Sequence, residues 1–423
     1  MNKKLNNIHL FIKNFNILLF FSNLKLNLKK MNKLSSKIRD NLKSKDREKD
    51  KEKDKEKSKP KSKDEKNQKK KNHLYKIERV CGNGSFGIVF QGKILHTGET
   101  VAIKKVYQDR RFRNREFSIM SLLDHPNIVK VRHAFYTTGE KLDEIYLNLV
   151  MNYVPENLNR LNKSLFEKKE QLPVFLIKLY CFQIARALNY IHNKKICHRD
   201  IKPQNILLDP QTNKIYICDF GSAKMLKREE SNVSYICSRF YRAPELLLGN
   251  EYYTTSIDIW SFGCVLAELF KGKPLLRTEN KDEQINKIME CLGGPKEEDL
   301  AVIIEREAAH ELAKSTKGIK GKNFADVLPN CPSDLVDLIS KILIYNPKKR
   351  LTAVEVMAHY AFDELRNKDN FTNDKYVVPN IFNFTQEEIN GRRFNADLWK
   401  KIIPSWSDGY KNLMEVIAIK EKK

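Results

Sequence analysis

Eight consecutive residues carry the densest chemistry in this chain: His198-Arg199-Asp200-Ile201-Lys202-Pro203-Gln204-Asn205. Asp200 offers a carboxylate to orient a substrate hydroxyl and accept its proton, Lys202 a cation near a transferring phosphate, and Asn205 an amide oxygen for magnesium. Fourteen residues past Asn205, Asp219-Phe220-Gly221 offers a second metal-binding carboxylate. Magnesium takes few protein oxygens when phosphates complete its shell, so Asn205 and Asp219 suffice. Upstream, Val101-Ala102-Ile103-Lys104 sets one lysine among apolar neighbours, and Glu116 stands twelve residues later in a helix-compatible stretch. A cation at the α- and β-phosphates needs such a carboxylate to hold it, and Glu116 is assigned by position. Ala243-Pro244-Glu245 closes the segment that follows. Each of these alone has an ordinary structural reading. In this order and at these spacings they point to phosphoryl transfer onto a hydroxyl.

The elements that must position these residues are legible as changes of period. Gly82-Asn83-Gly84-Ser85-Phe86-Gly87, followed by Val89, is a turn whose glycines let backbone amides approach phosphate oxygens. A dinucleotide-binding loop shares this pattern but opens a helix, whereas GIVFQGKIL continues as an alternating strand. HLYKIERV, ETVAIKKV and IYLNLVMNYV supply further strands. From Pro173 the apolar spacing becomes helical, in VFLIKLYCFQIARALNYIHN, then IDIWSFGCVLAELFKG and PSDLVDLISKILIY. The expected fold is α+β and bilobal: a small β-rich lobe over 73–154, a larger helical lobe over 155–365, and a C-terminal extension over 366–423. Asp258 is expected to accept backbone amides around the 198–205 loop, and Arg350 to pair with Glu245.

Length and composition allow this. The 423 residues are 41% hydrophobic, ordinary for a chain that buries a full core. The net charge of +25 is not ordinary, and residues 1–72 carry +15 of it, with 24 Lys/Arg against 9 Asp/Glu. The run over 43–71 has almost nothing apolar and is expected to be disordered. This basic tail suits an anionic membrane or nucleic acid as partner, although its mixed charges suit a solvated tail better. Residues 8–21 (IHLFIKNFNILLFF) look like the apolar core of a signal sequence. Lys13, Asn14 and Asn16 interrupt it and no small-residue cleavage site follows. Residues 1–30 are read as an apolar and basic extension that the mature protein need not contain, since Met31 begins a second plausible start. Eight scattered cysteines with no Cys-x-x-Cys pair read as reduced thiols. The expected location is cytoplasmic, with nuclear or membrane association open through the tail.

The motifs GNGSFG, VAIKKV, ICHRDIKPQN, CDFGSAK, NVSYICSR, YRAPELL and GCVLAEL resemble those of protein kinases of the CMGC group, and closely those of the glycogen synthase kinase-3 family. The resemblance is dense over 73–292 and looser over 333–366. It implies ATP and magnesium as cofactors and serine or threonine of protein substrates as acceptor. It assigns Asp200 as base with Lys202 beside it, Lys104 as the phosphate-pairing lysine, and Asn205 and Asp219 as metal ligands. Cys81, Gly82, Asn83, Gly84, Ser85, Phe86, Gly87, Val89, Ala102, Gln204 and Cys218 would line the nucleotide pocket. The backbone of Asn152 and Val154, after Met151, would meet the adenine. Arg115, Arg199 and Lys224 match three basic residues that in this family bind the phosphate of an already phosphorylated substrate, four residues C-terminal to the target. Tyr235 stands at the family's activation-segment phosphorylation position.

Alternatives stay open at this point. A cyclin-dependent or mitogen-activated type of kinase would lack the priming preference. Against these, the PSTAIRE-like helix is absent, and Val233 replaces the threonine of a dual Thr-x-Tyr site. A catalytically dead scaffold would have lost Lys104, Asp200 or Asp219. A tail-targeted scaffold with weak activity is the remaining reading. Residues 294–332 depart from the family's insert, and Asp282, Glu283 and Asn286 make the preceding helix more polar, which argues against docking of the family's scaffold proteins.

Overall fold

The structure, a computed structural model, describes residues 75–84, 87–109, 114–139, 144–371, 375–391 and 394–422. The chain divides into two units, Met1–Asn72 and His73–Lys423, and the described residues all lie in the second. The expectations for the tail, and those for Ser85 and Phe86, lie outside the described residues.

The N-terminal part is a five-stranded antiparallel sheet in the order β1-β2-β3-β5-β4. The strands are β1 (Tyr75–Gly84), β2 (Gly87–Ile94), β3 (Thr100–Tyr107), β4 (Val131–Thr138) and β5 (Ile145–Asn152). Strand alternation sends Val101 and Ile103 of β3 to one face. There they pack with Ile94 and Val150, and Tyr75 and Phe135 close over them. The same alternation gives Lys104 to the opposite face, in register between Val89 of β2 and Leu149 of β5. Helix α1 (Arg115–Met120) lies on that face. The Asn114 side chain caps it by accepting from Phe117 N at 2.9 Å, and Glu116 is buried with Ile119 and Met120.

The C-terminal part is mainly helical. It contains α2 (Leu158–Glu167), α3 (Val174–Asn193), α4 (Ser256–Lys271), α5 (Lys281–Leu292) and α6 (Ser333–Ile342). Helix α3 is apolar and long enough to cross a membrane, yet it is buried along most of its length inside the protein. It is the axis of the core. Two short ladders hang between these helices and carry the loops of interest. In one, Ile206–Asp209 pairs with Lys214–Ile217 and with Glu156–Asn157; in the other, Ile196–Cys197 pairs with Lys224–Met225. The β-rich and helical parts are therefore those expected of an α+β bilobal fold.

Two segments carry structure that the sequence reading left open. The C-terminal extension over 366–423 packs onto the helical part: Ile381, Phe382, Phe384 and Ile389 are fully buried, and Phe182 of α3 packs edge-on against Phe382 and Phe384. The divergent stretch 294–332 forms short helices over Glu297–Leu300, Arg306–Ser315 and Phe324–Val327, and Leu300, Ala309 and Leu312 give it a small core of its own.

Candidate active site

Lys104 is the best-tethered cation of the sheet. Its Nζ donates to Glu116 Oε1 at 2.7 Å, to Glu116 Oε2 at 2.8 Å and to Asp219 Oδ1 at 2.8 Å. Burial opposes its charge, but the two carboxylates outweigh burial and hold the ammonium above the usual lysine range. Burial also works against ionised Asp219, and Lys104 outweighs it, so that the Asp219 carboxyl lies below its usual range. The three residues come from β3, α1 and the segment after Ile217, brought together across 115 positions of sequence.

The 198–205 loop is held from beneath by Asp258 of α4. Its carboxylate accepts from His198 N at 2.8 Å, from Arg199 N at 2.9 Å and from His192 Nε2 at 3.0 Å. Complete burial opposes the charge, while the His192 hydrogen bond, the neighbouring histidines and the backbone amide keep the carboxyl below its usual range. These contacts make Arg199 tolerable at φ 66, a left-handed conformation that a side chain with a Cβ rarely adopts. His198 Nδ1 accepts from Asp200 N at 3.3 Å, so its Nε2 carries the proton donated to Cys218 O at 3.0 Å. That bond couples the loop to Asp219, which is itself at φ 62. Phe220 is fully buried, edge-on to His198 at 4.8 Å between centroids.

Asp200 is surrounded by donors. Its Oδ2 accepts from Lys202 Nζ at 2.7 Å and Asn205 Nδ2 at 3.1 Å, and its Oδ1 accepts from Ser238 Oγ at 2.7 Å and Ser238 N at 3.1 Å. Lys202 also donates to Ser238 Oγ at 2.9 Å. Ser238 was not singled out in the sequence. It lies 38 positions from Asp200, and its one signal was a hydroxyl shortly before Ala243-Pro244-Glu245. Asn205 spends its amide nitrogen on Asp200 O and Oδ2, which turns its amide oxygen the other way. One amide oxygen and the Asp219 carboxylate fit a hard cation that keeps its remaining positions for phosphate and water. The segment is anchored by Arg350, whose Nη1 and Nη2 grip Glu245 at 2.9 and 3.1 Å while the same nitrogens donate to the carbonyls of Ser256 and Ile344.

The remaining nucleotide-pocket candidates fall around these groups. Cys81 and Gly82 lie in β1, and Asn83 and Gly84 end it opposite Ile88 and Gly87. Gly87 has φ +138, and a Cβ there would sit 2.3 Å from Lys105 O, so this position admits only glycine without a backbone shift. Val89 faces Lys104 across the ladder, Ala102 pairs with Met151, and Asn152 ends β5 with Val154 two residues on. Gln204 reaches away to Asn159, donating to its Oδ1 at 3.0 Å.

Of the three candidate phosphate-binding cations, Arg199 is buried and donates to Ser222 O at 2.6 Å and to Tyr253 Oη at 3.0 Å. Lys224 bonds to Glu230 and Asn232, and Arg115 lies exposed at the start of α1. Tyr235 is three-quarters exposed, with the Arg242 guanidinium 4.4 Å from its ring. Arg242 spends Nε and Nη2 on the carbonyls of Ile236 and Cys237, and Arg239 donates to the carbonyls of Thr278 and Glu279.

Residues 75–362 match the family model described as the protein kinase domain. That span is well over half of the chain, and the chain belongs to the protein kinase family. It is a phosphotransferase with protein substrates, and kinase domains of this kind work with ATP and magnesium.

Proposed function

We propose that the chain is a serine/threonine protein kinase of the glycogen synthase kinase-3 type, in the CMGC group, acting on substrates already phosphorylated four residues C-terminal to the target. The observation that carries the catalytic part is the closed triad of Lys104, Glu116 and Asp219 next to a fully engaged Asp200. A lysine fixed in this way presents a point charge to the α- and β-phosphates without searching for its place. Asp200, ringed by donors from Lys202, Asn205 and Ser238, is held in one orientation to receive a hydroxyl proton. Lys202, bonded to both Asp200 and Ser238, bears on the space where negative charge develops. Magnesium, held by Asn205 and Asp219, would neutralise phosphate charge when bound.

The priming part rests on Arg115, Arg199 and Lys224. Lys224 pairs through its backbone with Cys197, two residues before Arg199, and its neighbour Ser222 accepts from Arg199. Guanidinium and ammonium groups side by side suit a dianion. Tyr235, exposed between Asp219 and Glu245, is proposed as the site of activating phosphorylation. The test is a radiolabelled phosphate-transfer assay on paired peptides with and without the priming phosphoserine. Arg115→Ala is expected to lose about tenfold to a hundredfold on the primed peptide, the size of one charge-assisted contact, and much less on the unprimed one. Equal losses on both peptides would remove the priming assignment.

A further inference from the structure

Two of the three Lys224 donors are already engaged. Its ammonium donates to Glu230 Oε1 at 2.8 Å and to Asn232 Oδ1 at 2.6 Å. Asn232 is buried and closes the turn from the other side, its amide donating to the Glu230 carbonyl at 2.8 Å. The second carboxylate oxygen of Glu230 comes to 4.0 Å from Lys227 Nζ. The hydrogen bond from Lys224, and then the charges of Lys224, Lys227 and Arg115, hold the Glu230 carboxyl below its usual range. A fixed negative charge therefore already sits on Lys224, one of the three cations assigned to the substrate phosphate. The Glu230 side chain is 41% exposed, on a loop.

We propose that Glu230 is a resident counter-anion that a primed substrate must displace, and that it sets the selectivity of this site for a phosphomonoester over a carboxylate. The inference rests on the primed-substrate reading above. Its physical basis is an exchange. An incoming aspartate or glutamate would replace one carboxylate with another and gain little. A phosphate brings nearly two charges and three acceptor oxygens, so it wins the same cations. The pair it breaks is partly exposed on the Glu230 side, so water can take up the displaced carboxylate and the exchange stays reversible.

The experiment compares three peptides that differ only four residues C-terminal to the target, carrying serine, aspartate or phosphoserine. The readout is the ratio of kcat/KM values within each protein, so that any general damage cancels. Wild type is expected to prefer the phosphoserine peptide and to treat aspartate like serine. In Glu230→Gln, and again in Glu230→Ala, the aspartate peptide should gain about two- to fivefold over the serine peptide, the scale of one ion pair, and the phosphoserine peptide less, so that the phosphoserine-to-aspartate ratio falls. A wild-type preference for phosphoserine with unchanged ratios in both variants overturns the displacement and leaves priming intact. No preference for phosphoserine in any of the three proteins overturns the priming reading and this inference with it.

Discussion

Two groups of basic side chains in this molecule each close on a glutamate, and they differ in how far water reaches them. In the helical part, Arg186 of α3 is almost wholly buried against Glu388 of the C-terminal segment, donating from Nε at 2.7 Å and from Nη2 at 3.1 Å. Its other donor contacts go to Asn383 Oδ1, Ile381 O and Asn383 O, and Phe384 covers its face at 4.3 Å. His125 completes the knot. Its Nδ1 accepts from Asn127 N at 3.0 Å, so the proton stays on Nε2 and is donated to Glu388 at 3.0 Å. At the other group, Lys224 donates to the partly exposed carboxylate of Glu230 at 2.8 Å. The lesson lies in solvent and in donor count. A charge whose every donor is matched by protein, out of water, is part of the fold. A charge balanced by one exposed glutamate is free to change partners.

Removing Glu388 should have the larger effect. Glu388→Ala strands Arg186 without its counter-ion and should cost about 3–5 kcal/mol of unfolding free energy, as for other broken buried pairs, measured by denaturant titration. A cost under about 1 kcal/mol would mean that water enters and the knot is not closed. Acid should act in the same direction. Burial opposes the Glu388 charge, but His125 and Arg186 outweigh it and depress its carboxyl. A depressed carboxyl stabilises the fold above the ordinary glutamate range and loses that contribution as pH falls. His125, whose burial lowers its own pKa, adds to the loss below the ordinary histidine range.

Glu268 should show the reverse dependence and so sharpens the contrast. It accepts from Tyr241 Oη at 2.7 Å beneath the activation segment, and burial pushes its carboxyl up to about 7. A raised carboxyl favours the folded state while it is protonated, and that advantage fades as pH climbs from the ordinary glutamate value through about 7. Relative to Glu268→Gln, wild type should lose about 3 kcal/mol of stability between roughly pH 4 and pH 8, read from denaturant midpoints. A difference that does not change with pH would mean that Glu268 meets water. The smallest effect belongs to the second group: Lys224→Ala should change unfolding free energy by about 0–1 kcal/mol. A loss of the buried-pair size would make Lys224 a structural residue and not a ligand-binding one.

The candidate catalytic residues were readable in the sequence because their chemistry is written in short stretches. Asp200, Lys202 and Asn205 share one loop, and the alternation of β3 sets Lys104 on the face opposite Val101 and Ile103. The Arg186–Glu388 knot had no such signal. Arg186 reads as one charge in an apolar helix, Glu388 as one acidic residue in a tail, and 202 positions separate them. Spacing rules act within one element, and this pairing exists only after α3 and the C-terminal segment have packed. The same reason hid the packing of the C-terminal extension against α3. Ser238 and Glu230 escaped because a lone hydroxyl or carboxylate in a loop acquires meaning only from the residue it touches.

The central claim is that Asp200 and its surroundings transfer phosphate to a hydroxyl. It is met most directly by measuring radiolabelled phosphate transfer from ATP for wild type and Asp200→Asn, with nucleotide affinity measured on the same preparations. The variant should lose at least about 10²-fold in transfer rate, the low end for a general base, while binding ATP within a few-fold of wild type. Transfer within about threefold of wild type would contradict the account, because a carboxylate whose loss costs so little is not accepting the proton.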